Sequence, residues 1–158
     1  MESSTLRFGK RVDAIEKPIL LPDDWYTVQV IKKPKVVDNA AKKADKDSED
    51  AGENWVVDIR VVSKDPTFSG REFSLFFPLP RPGDEERYDR NGQRLEDAKM
   101  ERIVKFIEKF GGDVGEETVT LGVGCRGGIH IQQKIDSRTG EIGNNPDMFG
   151  GFKSVSEL

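Results

Sequence analysis

The chain has 158 residues, with 25 Lys and Arg against 29 Asp and Glu, and a net charge of −4. Its mean hydropathy is −0.61, and no apolar run approaches the ~20 residues that span a bilayer, so no membrane contact is expected. One cysteine, Cys125, and one histidine, His130, exclude an internal disulfide and a thiolate- or histidine-rich zinc cage within one chain.

Residues 1–22 read as an N-terminal arm. Gly9, Pro18 and Pro22 interrupt any period, and Ile19, Leu20 and Leu21 are the residues that would pin it to a core. Residues 1–10 place no apolar stretch behind a basic region, so no secretory signal is expected and the setting is read as cytoplasmic and reducing. Residues 23–155 read as one domain and 156–158 as a short tail.

The first strand is expected at 25–31, where Tyr26, Val28 and Val30 share one face and Trp25, Thr27 and Gln29 the other. Residues 38–53 hold six acids and three lysines and no large apolar residue, which predicts a mobile charged loop. A helical turn over 40–44 is the alternative. A second strand is expected at 54–63, with Trp55, Val57, Ile59 and Val61 on one face and Val56, Asp58 and Arg60 on the other. A turn at 65–70 leads into a third strand at 71–77, where Phe73, Leu75 and Phe77 alternate with Glu72, Ser74 and Phe76. Residues 81–94 mix four arginines with four acids and read as a solvated segment.

One helix is expected at 98–110, with Met100, Ile103, Val104, Ile107 and Phe110 at helical spacing, Asp97 as N-cap and Gly111–Gly112 as the stop. A loop at 113–117 precedes weak alternation at 118–123 and clear alternation at 129–135, where His130, Gln132 and Lys134 share a face. A turn at 136–140 and a closing strand at 148–155 complete the chain. This order fits a mainly β fold: a five-stranded OB-like Greek-key barrel with one α-helix between its third and fourth strands. A β-sandwich is the other architecture such strands could build.

If the more apolar faces fill the interior, the outward face carries Trp25, Gln29, Arg60, Phe76, His130 and Lys134, with Lys32 and Lys33 where the first strand enters the charged loop. Single-stranded nucleic acid suits this mixture. Bases stack on aromatic faces at ~1–3 kcal/mol each, and lysines and arginines neutralise phosphates. The charge of −4 does not oppose this, because screening over ~8–10 Å makes local patches matter more than the total. No catalytic constellation stands out. The sequence has no P-loop, no dinucleotide fingerprint and no Gly-x-Ser-x-Gly elbow. An EF-hand loop counted from Asp45 fails at its sixth and twelfth positions, which are Asp50 and Val56. A non-enzymatic protein without metal or cofactor is therefore expected.

Three stretches resemble a known family. The first is Leu21-Pro22-Asp23-Asp24-Trp25-Tyr26-Thr27-Val28-Gln29-Val30, similar to the family's opening Pro-x-x-x-Tyr strand. The second is Phe68-Ser69-Gly70-Arg71-Glu72-Phe73, similar to its Gly-Arg or Gly-Lys turn. The third runs from Asn144-Asn145 to Phe149 and Phe152. The family is that of small phage-encoded single-stranded-DNA-binding proteins with an OB-like fold, and the resemblance covers roughly residues 20–155. It implies a role in phage DNA replication or recombination within the host cytoplasm, and it adds Arg71 to the expected contacts. A recombination or replication protein is the second partner it implies. The oligomeric state stays open, with a dimer one option. The alternative function is a protein-interaction or virion-assembly module on the same small β fold, favoured by the acidic loop and a pI of 5.2.

Overall fold

The computed structural model describes residues 2–16 and 19–158. Met1, Lys17 and Pro18, which belong to the expected arm, lie outside the described residues.

In chain order the elements are β1 (Asp24–Val30), β2 (Lys35–Asp38), α1 (Ala40–Ala44), β3 (Glu53–Val61), β4 (Glu72–Pro78), α2 (Leu95–Lys109), β5 (Asp113–Val114), β6 (Val119–Thr120), β7 (Arg126–Ile135), β8 (Ile142–Pro146) and β9 (Phe152–Lys153). Seven strands form one antiparallel sheet in the order β2-β3-β1-β7-β8, with β4 on the other edge of β3 and β9 beside β8 on β7. β5 and β6 form a separate small hairpin.

β1 and β2 run end to end along β3. Val30 faces Ile59 and Lys35 faces Val56, so the four residues 31–34 stand opposite only Val57 and Asp58. Pro34 cannot donate to the ladder, and the surplus residues bend the chain there. The bend helps the sheet to curl around its core.

The expected barrel is not closed. Among the described residues no ladder joins β4 to β8 or β9. Side chains fill that seam instead. The Phe77 ring on β4 lies 6.0 Å from that of Phe152 on β9, and Phe106 of α2 sits 4.8 and 4.9 Å from the two. Phe110 stacks 4.2 Å from Phe106. The helix thus completes the core where backbone pairing stops. Most of the inward faces of the first three expected strands are as the alternation predicts: Tyr26, Val28, Val30, Val57, Ile59, Val61, Leu75 and Phe77 are buried, Trp55 and Phe73 are partly buried, and Val56, expected on the outward face, is buried too. Tyr26 carries its polar atom in with it, and the hydroxyl donates to the Pro22 carbonyl at 2.6 Å.

Several sequence expectations need correction. The helix starts at Leu95, with Arg94 at the N-cap position and Asp97 within its first turn, because the Leu95 amide is already satisfied by the Arg87 carbonyl. Met100 is exposed, whereas Phe106 is fully buried. The loop at 38–53 holds the end of β2 and the short helix α1. Asn39 ties its ends together: its side-chain oxygen accepts from the Lys42 and Gly52 amides, and its amide nitrogen donates to the Asp50 carbonyl. The expected closing strand at 148–155 is only β9, while β8 pairs earlier. Residues 113–114, expected as loop, pair with β6. Of Ile19, Leu20 and Leu21, only Leu21 is buried. Within the segment expected to be solvated, Asp84 is fully buried.

Candidate nucleic-acid interface

The face of the sheet opposite the core is set by register. Trp25 of β1 pairs with His130 of β7, Thr27 with Gly128, and Gln29 with Arg126. Lys153 of β9 pairs with Gly128 from the other side. Paired residues point the same way, so these side chains converge. The Lys153 ammonium lies 4.3 Å from the centroid of the Trp25 ring. The His130 ring meets the same indole edge-on at 5.6 Å. Trp25, His130 and Lys153 are each half-buried, so one part of the indole is packed and another is open.

Two neighbours extend this cluster. Arg126 Nε donates to Gln29 Oε1 at 2.9 Å. Lys134 lies on the same face of β7, four residues beyond His130, and is exposed. Arg126, His130 and Lys134 therefore form a stripe along one strand, with Lys153 beside it. Asp147 stands near its middle. The amides of Phe149 and Gly150 hold its carboxyl below the usual carboxylate range, burial opposes this, and the nearby His130 and Lys134 add to it.

Residues 155–158 form part of this surface. They make a single 3-10 turn, Val155–Glu157, closed by a capping box: Ser154 and Glu157 bond each other's backbone and side chain. Leu158 is seated on Gly128, whose α-carbon leaves the room; a Cβ there would stand 2.7 Å from the leucine's methyl group. Lys109 at the end of α2 donates to Glu157 at 2.6 Å. That hydrogen bond, with those from the Ser154 amide and hydroxyl, lowers the Glu157 carboxyl to about 2.

The other expected contacts are distributed differently. Arg60 lies opposite Gln29 but is paired with Glu72 at 2.6 Å, and Ser74 donates to Asp58 at 2.5 Å. The middle of the face is thus charge-balanced. Phe76 is half-exposed on β4, opposite Val56. Trp25 stands four residues to one side of the row through Gln29 and Arg60, and Phe76 four residues to the other. At ~3.3 Å per residue that separates them by roughly 26 Å along the strands. Lys32 and Lys33 are exposed in the bend between β1 and β2, with Lys32 beside Ser74. Arg71 is not on this face: it donates to the Ile19 carbonyl and to Asn144 Oδ1 and lies 5.2 Å over Phe73, clamping the arm to β8.

Sequence reasoning missed Lys153 and Arg126 as members of the face. Alternation around Phe152 carried the signal for Lys153. Nothing local signals that Arg126 would face Gln29 across 97 residues of chain. Among the described residues no group of three or more His, Cys, Asp and Glu side chains is arranged to hold a metal ion, and no helix is long and apolar enough to cross a membrane. In comparisons with known proteins, no family model matches the chain, and no curated protein matches it.

Proposed function

We propose that the protein binds single-stranded DNA without regard to base sequence, in a non-enzymatic role in phage replication or recombination in the host cytoplasm. The observation that carries the reading is the Lys153–Trp25–His130 cluster, flanked along β7 by Arg126 and Lys134. A base would stack on the open part of the Trp25 indole while the cations neutralise flanking phosphates, which is how strand binders without sequence preference combine stacking and charge. The bent β1–β2 strand paired with β3, and the helix sealing the seam of a curled sheet, support an OB-like ancestry for the fold. They fit the resemblance drawn from the strand motifs.

The test is fluorescence anisotropy of a labelled oligo-dT titrated with the wild-type protein and with Trp25→Ala at low and high salt. Binding at low salt that weakens with salt, ignores base sequence and falls about tenfold or more on losing the indole supports the reading. Absence of binding at low salt refutes it.

A second reading, a protein-interaction module, is favoured by the arm. Leu6, Phe8 and Val12 are 80%, 59% and 68% exposed. A protein lacking residues 2–16 separates the two: it would keep DNA affinity on the first reading and lose a partner on the second.

A further inference from the structure

A second aromatic platform lies around the edge of the sheet from Trp25. Phe149 is 83% exposed, the most exposed large apolar side chain among the described residues. It is held in place rather than loose. Asp147 Oδ1 accepts from the Phe149 and Gly150 amides, each at 2.9 Å. A Cβ at Gly150 would stand 2.3 Å from the Asp147 carboxylate, and Gly151 has a φ of +88°, so the turn closes only with this pair of glycines. One face of the Phe149 ring is backed by the Arg102 guanidinium of α2, 4.6 Å from its centroid. Among the described residues Arg102 makes no ion pair, whereas its neighbours Lys105 and Lys109 are paired with Glu101 and Glu157.

The platform also connects to the first one. The Asp147 amide donates to the His130 carbonyl at 2.8 Å, and His130 touches Trp25. The same loop therefore fixes Phe149 and abuts the strand bearing the Trp25 cluster. Between α2 and this loop runs a groove of about 630 Å³, floored by Met148 and Phe152. An aromatic ring with a cation on one face and solvent on the other is suited to a nucleobase, and an unpaired guanidinium beside it is suited to the phosphate.

We propose that Phe149 and Arg102 form a second nucleotide subsite, which takes a base of the same single strand after it leaves Trp25 and passes over the β8–β9 edge. This rests on the single-stranded-DNA reading above and sets the length of strand the protein engages. Arg102 brings the groove's lining to charge balance, since Lys105 and Lys109 stand there against Asp89, Glu101 and Glu108, so the occupant is held by stacking and by Arg102 rather than by a general positive field.

The test compares oligo-dT of about four and about twelve nucleotides, lengths within the range one such domain occupies. Wild type, Phe149→Ala, Phe149→Trp and Arg102→Ala are titrated, with circular dichroism and thermal melting as folding controls. The expected result is that Phe149→Ala leaves the short oligomer's affinity unchanged and weakens the long one about tenfold, as loss of one stacked base does. Phe149→Trp should restore the long oligomer's affinity, and Arg102→Ala should weaken it alone. If wild type binds DNA and Phe149→Ala matches it at both lengths, the second subsite is refuted and the Trp25 reading stands. If wild type binds neither length at low salt, both fall together.

Discussion

Gly127 and Gly128 are adjacent in β7 and face opposite sides of the sheet. A Cβ at Gly127 would stand 2.4 Å from the Phe110 ring, deep in the core. One at Gly128 would meet only the tip of Leu158, which is half-exposed and can swing away. Gly127→Ala should therefore destabilise the fold by about 1–3 kcal/mol, the usual cost of overpacking a filled core, and Gly128→Ala by less. Urea unfolding of the two variants decides it. Asp84 is the other residue whose neighbours dictate its effect. Burial alone would raise its pKa. The hydrogen bond from Lys99 and that from the Arg81 amide, with the charges of both side chains, outweigh burial and leave the pKa lowered. A depressed carboxylate stabilises the fold above its unfolded pKa and ceases to do so as pH falls through its folded value. Lys99→Met leaves the buried carboxylate with only the more distant Arg81 guanidinium, 3.9 Å away, and the loss should be about 3 kcal/mol at neutral pH, the lower end for breaking a buried pair. The difference from wild type should shrink in acid, where the variant protonates Asp84 and escapes the penalty. A variant equally destabilised at pH 7 and pH 4 would show that Lys99 acts only through its packing.

At the scale of elements, the 155–158 segment gives the sharpest prediction. Its turn rests on Glu157, which bonds Lys109 and Ser154. Glu157→Gln removes the charge and should loosen the segment, seen as faster amide exchange at 155–158 and a shifted emission from the neighbouring Trp25. Because the carboxyl sits at about 2, down from 4.5, the contact should survive as pH falls toward that value and fail only below it. The same segment shows where sequence reading stops. β1, β3, β4 and β7 were legible because a half-buried antiparallel strand alternates its side chains, and Val28, Ile59, Leu75 and Ile129 fall on that beat. β8 was not legible: Ile142-Gly143-Asn144-Asn145-Pro146 has no such beat, and it is held by backbone pairing to β7 and by Asn144, whose side chain accepts from the Leu21 amide and donates to the Leu21 carbonyl. Residues 155–158 carry no pattern either, because Gly128, 30 positions away, makes their seat. Trp25, His130 and Lys134 were legible as members of one face. Their meeting with Lys153 was not, because it depends on two registers at once.

The whole molecule carries a net charge of −4, which sets up a test of local against global electrostatics. Acids fill the α1 region and the middle of the outward face, where Asp58 and Glu72 are already partnered. Cations with free reach gather along β7 and β9 as Arg126, Lys134 and Lys153. At physiological ionic strength the field of the distant acids is screened within ~8 Å, so the stripe, with Asp147 the one acid set among its three cations, presents a net positive surface to a strand. If these three cations and Arg102 each contact a phosphate of a strand of about twelve nucleotides, the logarithm of the binding constant should fall with the logarithm of salt with a slope of about −3, from ~0.7 per contact on single strands. Variants then separate the two contributions. Lys134→Ala and Lys153→Ala should each flatten the slope by about 0.7, whereas Phe149→Ala should lower affinity at every salt concentration and leave the slope as it is. Lys153→Ala should also lower the intercept, because the same ammonium sits over the Trp25 ring and its removal frees that ring to move. A wild-type slope near zero, with binding still present, would mean that stacking alone holds the strand and that the β7 cations serve the fold.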